Sequence, residues 1–254
     1  MTRRVERHMG TVVTVAAEGI DEAAVDAFFA RVAELEGLLS RYRPDSEISR
    51  IAAGTLHPDE ADRSVREVLV RCDDLRRRTD GDFDHEPAPG ALDVNALAKG
   101  WIIEEAAMVL RQPGAEFFVN AGGDVVTSRR ATGQPWRVGV QHPEVRTAVL
   151  GAFELGSGAV ATSGTYERGD HIRTGAGAGL TSVTVVGPDL GEADALATAV
   201  FAHGDHRPAW WAEVDPRYGL LTLDARGRLR WAAPAVDIGV RWCWPETSEP
   251  RAVA

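Results

Sequence analysis

Cysteine is scarce in this chain. Only Cys72 and Cys243 occur in 254 residues, and no CxxC pair is present. A disulfide framework and a thiolate metal site are therefore excluded. Cys72 falls in a helical apolar pattern and is expected to be inert core. Long apolar runs are missing too. No uninterrupted stretch of ~18 apolar residues exists, so nothing is expected to insert in a membrane. The basic start "MTRRVERHMG" is followed by no apolar segment, so no signal peptide is expected and a cytoplasmic location is the default. Positive charge is outweighed: 28 Lys and Arg against 38 Asp and Glu leave a formal charge of −10. That argues against nucleic acid or an anionic membrane as a main partner. A negative protein that binds a phosphorylated ligand needs a local device, such as a metal or a Gly-rich backbone nest. Three familiar motifs are absent as well. Without GxxxxGK[ST] there is no Walker A, and without GxSxG a hydrolase triad is unsupported. "GAGAG" (175–179) lacks the GxGxxG spacing and precedes a strand rather than a helix.

What is present is an ordinary globular composition, 44% hydrophobic and 26% charged, long enough to bury a full core. "TVVTVAA" (11–17) reads as a strand. "DEAAVDAFFARVAELEGLLSRY" places Ala24, Val25, Phe28, Val32, Leu35 and Leu39 at helical spacing behind a capping Asp21. A turn and short helix follow over 43–51. Ser64 and Glu67 have capping-box spacing and are expected to open a second long helix. After a Pro/Gly/Asp loop (79–93), "NALAKGWIIEEAAMVLRQPG" is a third helix stopped by Pro113 and Gly114. The period then changes to short strands: "EFFVN", "DVVTS", "PWRVGVQ", "TAVLGAFEL", "GAVATS" and "LTSVTVVG". A helix near 192–203, a short helix at "PAWWAEV" and a hairpin over "GLLTLD" and "LRWAA" complete the pattern. Helices cluster early and strands late, which predicts an α+β fold in one compact unit.

Several stretches carry two readings. On the helix "GEADALATAVFAHG" (191–204), Asp194 and Thr198 are four apart and share a face. Asp194 is either the N-cap, or one of two oxygens facing a hard cation such as Mg²⁺. "NAGGDV" (120–125) is a tight hairpin turn, or a place where backbone approaches a ligand closely. Lys99 and Gly100 fall at a loop-to-helix junction. Lys99 is a solvated lysine, or a cation near a phosphate-binding helix start. "VATSGTYERGDH" (160–171) is turn chemistry plus a lone His171.

Taken in order, these stretches resemble the ApbE family of FAD:protein FMN transferases. "MGTVVTV" (9–15) resembles its first strand, and "LSRYRPDSEISRI" (39–51) its SxYxxxSExSxxN segment. "TDGDFD" (79–84) is similar to TxGxFD, and "LDVNALAKGW" (92–101) to DxGxxxKGY. "VNAGGDV" (119–125) resembles the GG[DN] turn, and "PWRVGVQHP" (135–143) the strand after it. "ATSGTYER" (161–168) is similar to TSGxYxR, and 182–204 to the closing SVTV…ADxxxT helix. The resemblance implies an ApbE-like fold, related to the T-fold, over residues 1–254. It also implies Mg²⁺-dependent cleavage of FAD. The FMN half would pass to a Thr or Ser hydroxyl of an acceptor flavoprotein, with release of AMP. Some members only hydrolyse FAD to FMN and AMP.

By the same resemblance, Asp194, Thr198 and the carbonyl of Ala96 are Mg²⁺ ligands, and Lys99 is a cation on the cofactor's side. Gly122, Gly123 and Asp124 line the flavin or ribityl region. Thr162, Ser163 and Gly164 supply hydroxyl and backbone donors to FAD. Ser46 and Glu47 help form the adenine side. His171 sits near the reacting phosphate, where its neutral form accepts the incoming hydroxyl's proton.

The chain departs from the family at several points, among them Thr165 where Asp is frequent. "HIRTG" (171–175) lacks three residues of HIxDPxTG, including Asp-Pro, which changes the loop around His171 and bears on docking of the acceptor. The segment between "TDGDFD" and "LDVNALAKGW" is short, which implies a more open cofactor site. Ala52 or Ala53 stands where Asn is usual, and Trp101 where Tyr is common. Hydrolysis of FAD and non-catalytic flavin binding are the alternatives to transfer.

Overall fold

The computed structural model describes residues 2–88, 90–145, 147–164 and 179–244. The chain begins with a hairpin. β1 (Thr2–His8) pairs antiparallel with β2 (Thr11–Glu18), and Met9 and Gly10 turn the corner at φ of 52° and 71°. Positive φ at both positions is what a two-residue hairpin loop requires. The basic start is thus a strand, which no apolar run announced. β1 is a sheet edge, and its charged residues suit a strand that must stay unpaired on one side.

α1 (Glu22–Leu39) starts where expected, with Asp21 accepting the Ala24 N–H at 2.8 Å, and buries Val25, Phe28, Val32, Leu35 and Leu39. α2 (Glu47–Ala52) is short. α3 (Arg63–Arg78) is capped by Asp62, which accepts the Ser64 N–H, so Ser64 does not open this helix. α4 (Asn95–Ala107) runs on into a 3₁₀ turn. Lys99 and Gly100 therefore lie inside α4, not at its junction with the loop.

The strands follow: β3 (Glu116–Ala121), β4 (Asp124–Thr127), β5 (Trp136–Gln141), β6 (Val149–Leu155), β7 (Gly158–Gly164) and β8 (Leu180–Gly187). Next come α5 (Leu190–His203), a 3₁₀ turn at Ala209–Glu213, the hairpin β9 (Gly219–Asp224) and β10 (Leu229–Ala232), and β11 (Val240–Cys243). Eight strands form one antiparallel sheet in the order β1-β2-β3-β4-β7-β8-β9-β10, and β11-β6-β5 form a second.

Strand alternation divides the core in two. Val126, Ala159, Ala161, Val183 and Val185 face the helices in one cluster. Their neighbours Val125, Val160 and Val186 face the small sheet, where they meet Val138, Val140, Phe153 and Trp242. The element that matters most is α5. It is apolar almost all round, as a helix buried on every side must be. It lies close against α4. A Cβ added to Gly100 would stand 2.5 Å from the Leu190 carbonyl oxygen, and one added to Gly191 would stand 3.0 Å from the Trp101 backbone nitrogen. Only glycine at both positions allows that approach.

Candidate functional site

The start of α5 settles one of the open readings. Its N-cap is Asp189, which accepts the Glu192 N–H at 2.7 Å. Asp194 lies past the first turn, wholly buried, with no exposed surface. The capping role expected as one alternative is therefore taken by another residue. Asp189 is in turn paired with Arg71 at 2.8 Å, and Glu192 with Arg78 at 3.0 Å. Acidic groups at a helix start also suit its dipole. Glu104 of α4 accepts the Leu190 N–H at 3.3 Å, and burial holds its carboxyl above the usual range. These contacts fix α5 against α3 and α4.

The tight seam brings Lys99 to Asp194. The ammonium lies 3.7 Å from Asp194 Oδ2 and pairs more closely with Asp124, the first residue of β4. Asp124 is 1% exposed. Its other oxygen, Oδ1, accepts the Thr162 N–H at 3.1 Å. Asp124 thus joins β4, β7 and α4. It is turned toward the helices, away from the cavity on the other face of the sheet. On the same helical face, buried Ser163 hydrogen-bonds Thr198 through their hydroxyls at 3.1 Å. Lys99 with Asp194 and Gly100 with Leu190 pair the two helices antiparallel, which carries Ala96 toward the level of Thr198. The group is therefore two carboxylates, one ammonium and two hydroxyls, at the strand ends nearest the helices.

The opposite face holds a cavity of about 260 Å³ between the two sheets. Gly123, Thr162 and Gly164 line it, together with Val138, Gly139 and His142. Thr162 and Gly164 therefore look away from Ser163, which lies between them in the chain. The Gly122–Gly123 turn joins β3 to β4 at φ of 64° and 104°. Asn120 Oδ1 accepts the Gly123 N–H at 2.9 Å, and a Cβ on Gly122 would stand 2.5 Å from Thr11 Oγ1. Gly123 meets the cavity, while Gly122 is the close-packed side of the turn.

Other expected site residues are placed elsewhere or not described. Ser46 caps α2, accepting the Ser49 N–H at 3.1 Å and donating to the Ser40 carbonyl at 2.7 Å. Glu47 accepts the Asp62 N–H at 2.7 Å. Both side chains hold α2 in place, and among the described residues no hydrogen bond or ion pair joins either to Lys99 or Asp194. His171 lies outside the described residues. Cys72 is buried core, and burial pushes its thiol up.

The donor chemistry bears on whether a metal fits. A fully buried carboxylate with a hydroxyl one turn along the helix is an oxygen set suited to a hard cation. Among the described residues, no group of three or more His, Cys, Asp and Glu side chains is placed to hold a metal ion. Mg²⁺ is bound through few protein oxygens and keeps positions for water and phosphate. The set fits Mg²⁺.

Two features went unread in the sequence. Lys99 is the only lysine among the 28 Lys and Arg residues. The split of 122–125 and 162–164 between two faces was also recoverable, since alternation along a strand dictates it.

The ApbE family model matches residues 9–89 and 85–221, and the chain belongs to the ApbE family. It is similar to a FAD:protein FMN transferase of Vibrio cholerae serotype O1, 28% identical over 214 residues, covering 78% of this chain and 60% of the relative. A second, from Salmonella typhimurium, is 30% identical over 164 residues, covering 56% of this chain and 46% of the relative. The chain thus spans about half the length of the curated relatives it matches. The solved flavin transferase ApbE from Vibrio cholerae shares the fold, with a TM-score of 0.76 at 21% identity over 92% of this chain and 97% of that one. No helix among the described residues is long and apolar enough to cross a membrane.

Proposed function

We propose that this chain cleaves the pyrophosphate of FAD and transfers the FMN half to a Thr or Ser hydroxyl of an acceptor flavoprotein, releasing AMP. The observation that carries this is Asp194. A carboxylate sealed inside an apolar helix is costly, its capping role belongs to Asp189, and Lys99, which also pairs with Asp124, lies 3.7 Å from it. Such a group is kept for its charge. The activity for which its relatives are named, FAD:protein FMN transfer, supports the same reading.

In this reading Asp194, the Thr198 hydroxyl and the Ala96 carbonyl hold Mg²⁺. The bound ion would supply positive charge against the diphosphate and the leaving phosphate. Ser163 orients the Thr198 hydroxyl through its 3.1 Å hydrogen bond. Lys99 pairs with Asp124, and its ammonium meets phosphate charge. Gly123, Thr162 and Gly164 present backbone and hydroxyl groups to the flavin and ribityl portion, in the cavity they line. Ser46 and Glu47 shape the adenine side, and His171 takes the acceptor hydroxyl's proton. The reaction runs in the cytoplasm, a reducing compartment suited to cysteines left as free thiols.

The test is product identity. The protein is incubated with FAD, Mg²⁺ and a flavoprotein bearing a Thr acceptor. AMP with FMN bound covalently to the acceptor is the expected result. AMP with free FMN means hydrolysis, for which the shortened "HIRTG" segment is the reason. Bound flavin without AMP means a binding protein and contradicts the proposal.

A further inference from the structure

The cluster poses a problem of charge. Asp124 and Asp194 carry one negative charge each and are 1% and 0% exposed, and Lys99 returns one positive charge. A divalent ion by itself would balance the two carboxylates. A divalent ion together with the ammonium would exceed them by one positive charge, with little water to screen the repulsion.

The three groups are not equally fixed. Asp124 is tied to the Thr162 N–H at 3.1 Å, and Asp194 sits on a helix clamped at its start by Arg71 and Arg78. Lys99 is the member that reaches solvent. Its side chain is 20% exposed, so a path to solvent is open. It is also the one lysine in a chain that otherwise uses arginine. A compact ammonium on a flexible four-carbon stem can leave a carboxylate in a way that a forked guanidinium, held at two points, does not.

We propose that Lys99 is a tethered counter-cation for the Asp124–Asp194 pair, and that it and a divalent ion at Asp194 exclude each other. Entry of the metal drives the ammonium out of the pair and toward the exposed side. The proposal rests on the reading of Asp194 as a metal ligand.

Two measurements on the whole chain, with Mg²⁺ alone as the probe, test it. Calorimetry compares Mg²⁺ binding by the parent and by Lys99→Gln. The variant lacks the competing charge and is expected to bind about tenfold more tightly. The second measurement needs no variant. In a single-lysine protein, side-chain acetylation mapped by mass spectrometry reports Lys99 alone. Its rate at constant pH is expected to rise severalfold as Mg²⁺ saturates. Equal or weaker affinity in the variant, or acetylation that is unchanged or slower with Mg²⁺, overturns the proposal and leaves the metal reading standing. Absence of Mg²⁺ binding in parent and variant alike overturns both.

Discussion

Asp124 and Val125 are neighbours in the chain, yet they belong to different chemistry. Asp124 points to the helices and pairs with Lys99, whereas Val125 points to the small sheet and lines the cavity. Ser163 and Thr162 divide in the same way. One face of the large sheet carries buried charge behind a wall of alanines and glycines. The other carries an open cavity with valine walls. The lesson is that a two-residue period can deal one short motif into two compartments, charge to one side and shape to the other. Under the proposed function, the helix face does the chemistry and the small-sheet face holds the flavin.

That division can be broken from either side. The largest effect is expected from Asp194→Ala. Release of AMP should fall by about 10²-fold or more, while FAD is still bound, as flavin fluorescence will show. Next comes the helix seam. Gly100→Ala forces a Cβ to within 2.5 Å of the Leu190 carbonyl, a backbone atom that cannot turn aside. It should cost about 2 kcal/mol, read by denaturant unfolding. On the other face, the Cβ of Gly139→Ala would meet only Val149 Cγ1 at 3.7 Å and should cost little.

The cavity wall allows the complementary test. Val138 faces the large sheet from β5, and Val138→Phe narrows the cavity without touching the charged cluster. FAD binding should weaken about tenfold, with AMP release at saturation unchanged. A drop in saturated turnover would mean that the two faces are not separable.

The smallest effect concerns pH. Burial raises the Glu104 carboxyl, so the folded state holds this proton more tightly than the unfolded state does. The stability it contributes is full below the ordinary carboxylate range and is lost as pH rises through the raised value. Glu104→Gln keeps an acceptor for the Leu190 N–H and removes the buried charge. It should raise the melting point slightly at pH 7, by under ~1 kcal/mol of stability, and the gain should vanish near pH 4.

How far the sequence carried these conclusions differs by element. The helices around Phe28 and Cys72 and the strands around Val119 and Val185 showed their periods plainly, because one-sided burial imposes a pattern. β1 and β11 were missed. β1 is an edge strand made mostly of charged residues, and β11 is four residues long, so neither has an apolar run to announce it. Ser64 was misread as a cap because Asp62, two residues earlier, takes the role. At the site, the shared helical face of Asp194 and Thr198 was visible from their spacing. Lys99 facing Asp124 was not, because the contact joins α4 to a turn 25 residues away and spacing says nothing about it. Ser46 and Glu47 hold α2 through their side chains, contacts that spacing along the chain did not announce.

The most direct test of Asp194 as the metal-bearing carboxylate is a crystal of the protein grown with Mn²⁺ in place of Mg²⁺, read by anomalous scattering. The account predicts a peak within coordination distance of the Asp194 carboxylate and the Thr198 hydroxyl. A protein whose only Mn²⁺ peaks lie elsewhere, with Asp194 still paired to Lys99, would contradict it.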